Sequence, residues 1–335
     1  MNAVPRLSIG LPVYNGEKYL AESIDALLGQ TYEDFELIIS DNASTDDTAD
    51  ICHRYGKQDS RIRYFRQPHN IGIAPNHNFA FQQSRGEMFK WASADDLYGR
   101  DLLQRCVGAL DEYPDVVLAH SWTAAIDSAD NVTQALEYPL ATDSPRAPER
   151  FRSILFGSSG LFGTDSSHII SAGNEGVIRA DDSYGVIRAD VLRQVARMES
   201  YWHGDQVCFV ELTLHGRFYQ VPDWLYFRRD HSDRATRAGT TVRARCANLD
   251  PRRAGRLHPT ARLFAECIWG YLAAVHRAPL SPTDRQECYR LLMQWMANRT
   301  VTKALPRRTA ADQPPPPVHN PTVSVSAVVA GQGRR

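Results

Sequence analysis

Four short polar clusters hold most of the chemistry this sequence can offer. They are Pro12-Val13-Tyr14-Asn15-Gly16-Glu17, Asp41-Asn42-Ala43-Ser44-Thr45-Asp46, His69-Asn70-Ile71-Gly72 and Ser93-Ala94-Asp95-Asp96. Each follows a short run that reads as a strand. Adjacent carboxylates such as Asp95 and Asp96 can bind a hard divalent cation through oxygen. Mg²⁺ or Mn²⁺ held by one or two carboxylates keeps positions open for substrate phosphates. The plainer reading of one aspartate after a strand is a helix cap, and of two adjacent acids the start of the next helix. The sequence has neither a GxGxxG nor a GxxxxGK(S/T) run, so the dinucleotide and P-loop readings lack their phosphate cradles.

The elements that must position these clusters are legible from apolar periodicity. Strands are predicted at Leu7–Val13, Phe35–Ser40, Ile62–Arg66, Met88–Ala92 and Val116–Ser121. Between them lie helical patterns. One carries Leu20, Ile24, Leu27 and Leu28 on one face. One runs to about Tyr55, with Ser44 as N-cap and Asp47 three residues on. One spans Pro75–Ser84, and one carries Leu102, Leu103, Cys106, Val107 and Leu110. Strands alternating with helices predict right-handed βαβ units, hence an α/β fold with a mostly parallel sheet. In such a sheet ligands bind at the carboxyl ends of the strands, where the four polar clusters fall.

After Asp127 the alternation weakens. Glu149–Phe156 reads as helix, and the Gly/Ser-rich stretch that follows it (GSSGLFGTDSS) as a loop. Gly176–Asp181 recurs as Gly185–Asp190, and the second copy is the better strand-to-helix unit. Asp205–His215 is a short helix closed by Gly216, and Arg217–Arg228 a strand interrupted at Pro222. Residues 258–300 read as one or two helices, and the proline-rich region from 306 on as disordered.

The 335 residues are 43% hydrophobic and carry a formal net charge of −1, which excludes a whole-chain polycation that coats nucleic acid. No apolar run reaches the ~18 residues needed to cross a bilayer, and no leader peptide is visible. Six cysteines without a CxxC pair read as reduced, structural thiols of a cytoplasmic protein.

LSIGLPVYN at Leu7–Asn15, Tyr19-Leu20, SDNASTDDT at Ser40–Thr48, Asn70-Ile71-Gly72 and Ala94-Asp95-Asp96 together resemble family 2 of the nucleotide-sugar glycosyltransferases. Order and spacing hold across about the first 130 residues. Weaker likeness continues through Tyr184–Arg188, Gly204-Asp205 and Arg228-Arg229-Asp230-His231. The resemblance implies a GT-A fold over residues 1–240, with a nucleotide-sugar half (1–125) and an acceptor half (126–240). A helical extension (241–305) and a Pro-rich tail (306–335) follow. It further implies one nucleotide-diphosphosugar site, a divalent metal (Mg²⁺ or Mn²⁺) and inversion at the anomeric carbon. Carried over by position, Pro12, Tyr14 and Glu17 line the nucleoside pocket. Asp41 accepts a hydrogen bond from the base, which favours uracil or thymine, and Asn70 lies near base or ribose. Asp95 lies near ribose and metal, Asp96 holds the metal, and His231 is a further metal or diphosphate contact. Many members carry an acid where this chain has Ser93.

Transfer also needs a base for the acceptor hydroxyl. Asp205 is the expected one, with Asp181, Asp182 and Asp223 as rivals and a simple N-cap as its plainer role. The acceptor is expected to be a saccharide or a lipid-linked glycan, as in cell-surface polysaccharide or glycolipid synthesis. A lipid-linked acceptor would bring the chain to the inner face of the membrane. Tyr201, Trp202, Phe162 and Trp224 would stack on sugars or fill the core. Arg228, Arg229, Arg234 and Arg237 read as a solvated basic face. Two other readings compete. A sugar nucleotidyltransferase would need a Gly-rich, basic signature that Pro12–Glu17 lacks. A non-catalytic nucleotide-sugar-binding assembly protein would not need Asp41, Asp95, Asp96 and Asp205 intact.

Overall fold

β1 (Leu7–Val13) is buried on both faces, as a central parallel strand requires, with Leu7, Ile9, Leu11 and Val13 lining one of them. The chain then alternates through α1 (Leu20–Leu28), β2 (Phe35–Asp41), α2 (Thr48–Gln58), β3 (Ile62–Arg66), α3 (Ile73–Gln82) and β4 (Met88–Trp91). The computed structural model describes residues 4–135, 142–156, 184–201, 204–232, 241–255, 259–302 and 324–330. The first four strands are parallel, in the order β3-β2-β1-β4. The chain steps outward from β1 to β3 and then returns to the other side of β1. Strand order therefore reverses between β1 and β4, which opens a crevice at their carboxyl ends. Leu20, Ile24 and Leu27 of α1 are fully buried, on the face their spacing predicts.

The second half is mixed. It contains β5 (Leu97–Tyr98), α4 (Leu102–Glu112), β6 (Val116–Ile126), β7 (Val132–Ala135) and α5 (Ala147–Phe156). After these come β8 (Val186–Arg188), α6 (Ala189–Gln194), α7 (Gly204–His215) and β9 (Arg217–Arg229). The sheet continues β4-β8-β6-β9-β5, with β7 on the free part of β6. The long β6–β9 ladder is parallel, while β8, β5 and β7 make short antiparallel pairings. Ser121 pairs with Val221 and Trp122 with Trp224, so Pro222 and Asp223 form a bulge. Proline cannot donate to a ladder, and a bulge removes the need. The strand predicted to break at Pro222 therefore runs on to Arg229, and its partner extends past Ser121 to Ile126.

The extension consists of α8 (Val242–Leu249), a 3₁₀ turn (Pro251–Ala254), α9 (Thr260–Arg277) and α10 (Pro282–Thr302). α9 and α10 share a core with α5 and α7, including Phe151, Val210, Tyr271, Leu292 and Trp295. Across this core Arg277 makes a bidentate pair with the fully buried Glu211 of α7, at 2.9 and 2.7 Å.

Three local expectations are corrected. Ser44 does not cap a helix: α2 starts at Thr48, and the Ser44 N–H donates to Asp41 inside a tight turn (2.8 Å). The two-residue β5 and the edge strand β7 are too short to stand out by periodicity. The tail is not uniformly without structure, since α11 (Val325–Val329) docks on the main core. Val325 is buried there, and the Val328 carbonyl accepts from the Arg100 N–H (3.2 Å). The first copy of the 176–190 repeat and the Gly/Ser-rich stretch from Gly157 lie outside the described residues.

Gly72 is the one described glycine with positive φ (+95°), and a Cβ there would sit 2.4 Å from the Leu249 carbonyl oxygen. Gly72→Ala is expected to cost about 1–3 kcal/mol in a urea melt, from backbone strain plus the clash. Wild-type stability in that variant would show that α8 does not rest on this loop.

Candidate active site at the β1–β4 crevice

The loops after β1 and β2 are stitched together by their own polar groups. Asn15, at φ +51°, donates its N–H to Ser44 Oγ (2.9 Å) and accepts the Thr45 N–H on Oδ1 (2.9 Å). Gly16 N–H donates to Thr48 Oγ1 (2.8 Å), and Glu17 accepts the Asp47 N–H (3.0 Å). These bonds satisfy backbone groups that a crevice rim would otherwise leave open. Pro12 is half-buried at the end of β1, while Tyr14 and Glu17 are exposed on the rim, where a nucleoside can reach them.

Asp41 departs from the expected base contact. It is fully buried, with Oδ1 accepting from the Ser44 N–H and Oδ2 from the Tyr64 hydroxyl, both at 2.8 Å. Its carboxylate holds the turn, and its neighbour Asn42 holds the next loop. Asn42 Nδ2 donates to Asn70 Oδ1 (3.0 Å), and its Oδ1 accepts the Ile71 N–H (2.8 Å). Asn70 is exposed and also accepts the Gly72 N–H (2.9 Å), so it shapes the loop it sits on.

Asp95 and Asp96 part company. The backbone bends at Ala94-Asp95 before entering β5. Asp96 turns inward and is fully buried. Its Oδ1 accepts the Arg229 N–H at 2.9 Å, and its Oδ2 accepts the Tyr226 hydroxyl. A carboxylate enclosed this way is a strut between β5 and β9, which departs from the expectation that Asp96 holds the cation. Asp95 turns outward. Ser93, standing where many relatives carry an acid, donates its hydroxyl to Asp95 Oδ1. Asp95 Oδ2 lies 2.9 Å from His231 Nε2.

His231 reaches Asp95 because Arg229 is locked in place. The Arg229 guanidinium is almost fully buried. It donates to the Asp95 carbonyl (2.9 Å), pairs with Glu22 (2.8 Å) and Asp130 (2.5 Å), and lies over the Tyr19 ring at 4.4 Å. The Tyr19 ring in turn lies 5.0 Å from the His231 imidazole. The solvated-face reading of Arg229 is thereby overturned, whereas Arg234 and Arg237 lie outside the described residues. Tyr19 enters the sequence reading only through the Tyr19-Leu20 motif, with no role assigned, and Glu22 and Tyr226 do not enter it. Tyr19 and Glu22 carried a signal, being one helical turn apart at the start of α1.

Among the described residues no group of three or more His, Cys, Asp or Glu could hold a metal. The Asp95–His231 pair nevertheless suits Mg²⁺ or Mn²⁺ as part of a shared site. Both groups can ligate a divalent cation, the carboxylate through oxygen and the imidazole through nitrogen, once they give up the 2.9 Å contact that joins them. The remaining ligands would be substrate phosphates and water.

Asp205 opens α7 and reaches solvent, yet protein surrounds it closely enough that desolvation raises its carboxyl above its ordinary pKa. Gly204 before it is obligatory, because a Cβ would lie 2.1 Å from the Glu199 carbonyl oxygen. Of the rivals, Asp223 is engaged with Arg105 (3.1 Å), and Asp181 and Asp182 lie outside the described residues. Tyr201 is core, Trp224 packs on Trp122 at 5.2 Å, and Phe162 and Trp202 lie outside the described residues.

The two aspartates should separate in a urea melt. Asp96→Ala is expected to lose about 2–4 kcal/mol, since two buried donors lose their acceptor, while Asp95→Ala stays within about 0.5 kcal/mol of wild type. Equal losses would contradict the division of roles.

Residues 8–172 match the family model described as glycosyl transferase family 2. An uncharacterized glycosyltransferase of Rickettsia felis is 36% identical over 110 residues, 32% of this chain and 18% of that protein. Glycosyltransferase GlyG of Streptococcus pneumoniae is 31% identical over 115 residues, 34% of this chain and 38% of that protein. The matches thus span well under half the length of these relatives. Among solved structures, TarS of S. aureus aligns at TM-score 0.57 and 17% identity, over 87% of this chain and 43% of that one. TarS 1–349 in complex with UDP-GlcNAc aligns at 0.53 and 15%, over 90% and 93%. Strand-end motifs, matched segment and architecture agree: residues 8–172 match glycosyl transferase family 2, and the chain is built on a GT-A fold.

Proposed function

We propose that the protein transfers a sugar from a nucleoside-diphosphate donor, with UDP or dTDP favoured, to a hydroxyl of a saccharide or glycolipid, with inversion. The observation that carries this reading is the meeting of Asp95 and His231 at the switch point of the sheet. The UDP-GlcNAc complex of TarS supports a uridine donor by analogy of fold. The β1 and β2 loops would receive the nucleoside, with Tyr14 as an exposed stacking face.

Asp95 and His231 would hold Mg²⁺ or Mn²⁺, which supplies charge neutralisation for the departing diphosphate. His231 would present the Nε2 lone pair to the ion. Ser93 keeps Asp95 oriented through Oδ1. Asp205 would accept the proton of the acceptor hydroxyl on the face opposite the leaving group, which is the geometry of inversion. Its raised pKa brings the carboxylate nearer to the working range of a base.

A lipid-linked acceptor would place the protein at a membrane surface. Among the described residues no helix is long and apolar enough to cross a membrane. Trp269 of α9 is 71% exposed and offers one apolar contact.

Two measurements test the reading. Thermal shift against UDP-, dTDP- and GDP-sugars with Mn²⁺ should give its largest rise with a uridine or thymidine donor. His231→Ala should lose the Mn²⁺-dependent part of that rise, and a metal-independent shift in wild type would remove the proposed cation role. Asp205→Asn should bind UDP as wild type does and release no sugar. A raised carboxyl pKa means the folded state holds the proton more tightly than the unfolded one. Stability from this group therefore declines as pH rises through the shifted value. Asp205→Asn should accordingly melt no lower than wild type at pH 7, and wild-type turnover in that variant would refute its role as base.

A further inference from the structure

The chain that leads to Asp205 is pinned at alternate residues by three different parts of the molecule. Ala196 N–H donates to Glu211 of α7 (2.9 Å). Met198 is held by Asn78 of α3 in a reciprocal pair: Asn78 Nδ2 donates to the Met198 carbonyl (2.8 Å), and Asn78 Oδ1 accepts the Met198 N–H (3.1 Å). Ser200 is buried, with its hydroxyl close enough to the Asp250 carboxylate at the end of α8 to favour its charged form. Gly204 closes the segment, with its N–H on the Tyr201 carbonyl (3.0 Å).

Two of these anchors are also tied to the nucleoside side of the crevice. α3 begins immediately after the Asn70–Gly72 loop, and Asn78 lies in its second turn. Asp250 packs on Gly72 itself, with its Cα 2.8 Å from where a Gly72 Cβ would be. Asp250 is buried and closes the following turn by accepting the Arg252 N–H (3.0 Å). Asn78 therefore fixes the Asp205 segment from the helix that starts at the nucleoside loop. Asp250 fixes it from the extension that rests on the same loop.

We infer that Asn78 and Asp250 are positioning residues that set the place of Asp205 relative to the bound donor, so that the extension takes part in transfer without touching substrate. This rests on the reading of Asp205 as base. Asn is suited to position 78 because it alone offers a donor and an acceptor at this length; Asp would set a carboxylate oxygen against the Met198 carbonyl. Misplacing a base by an ångström costs rate and leaves nucleotide contacts intact.

The test uses the full chain, UDP binding by calorimetry with Mn²⁺, and UDP release from UDP-GlcNAc. Asn78→Ala and Asp250→Ala should each lower kcat about ten- to a hundredfold while UDP affinity stays within about twofold. Asp250→Asn keeps an acceptor for Ser200 and should restore most of the rate. A loosened segment admits water around Asp205, so the acid limb of the kcat–pH profile should move to lower pH in both alanine variants. Unchanged kcat, or an equal fall in kcat and UDP affinity with an unmoved acid limb, overturns the inference. Loss of turnover in Asp205→Asn alongside wild-type Asn78→Ala sinks only the positioning role. Wild-type turnover in Asp205→Asn sinks both.

Discussion

A buried guanidinium organises this molecule. Arg229 stands at the end of the longest described strand and cannot stay in the interior without partners, because an unpaired buried charge costs several kcal/mol (roughly 3–5). Its partners come from α1, from the turn after β6 and from the backbone after β4. Satisfying one charge thus joins the parallel half to the mixed half. It brings His231 to Asp95, 136 residues earlier in the chain. Residues that never face a ligand decide where the facing ones stand.

Beneath that joint lies a second polar knot. Lys90 of β4 is fully buried, donates to the Tyr184 carbonyl, and lies 5.2 and 5.8 Å from the Tyr98 and Tyr226 ring centres. Burial pushes its amine down to about 8, and the Asp96 carboxylate partly opposes that. Tyr226 links the two, since its hydroxyl donates to Asp96 while its ring faces the lysine. Such a network is costly to leave half-satisfied, and here lysine and aspartate each have partners of their own. It lies beside the buried Asp96, next to which Asp95 is partly exposed.

The alternating half of the fold was legible because parallel strands buried on both faces read as apolar runs, and because the intervening helices bury one stripe each. β1, β3 and α4 fall where periodicity puts them. The crevice was legible as four polar strand ends. The partition of labour within those ends was not. Asp41 and Asp96 look like ligands in a linear sequence, yet both are sealed by tyrosine hydroxyls and backbone N–H groups contributed by distant or folded-back segments. Their residue type gives no hint of such partners. Arg229 looked like one of several surface arginines, and only its tertiary partners distinguish it. α11 escaped notice because a helix of five residues in a proline-rich context has no periodicity to detect.

All six cysteines are buried, and none forms a disulfide. Burial pushes the thiols of Cys52, Cys106 and Cys288 up to about 12, and that of Cys208 higher still. Thiolate is the reactive form, so these sulfurs are nearly inert at neutral pH. The native chain is therefore a silent background for maleimide labelling. One cysteine engineered onto the rim of the crevice would take a fluorophore alone, and its emission would report arrival of a nucleotide in real time.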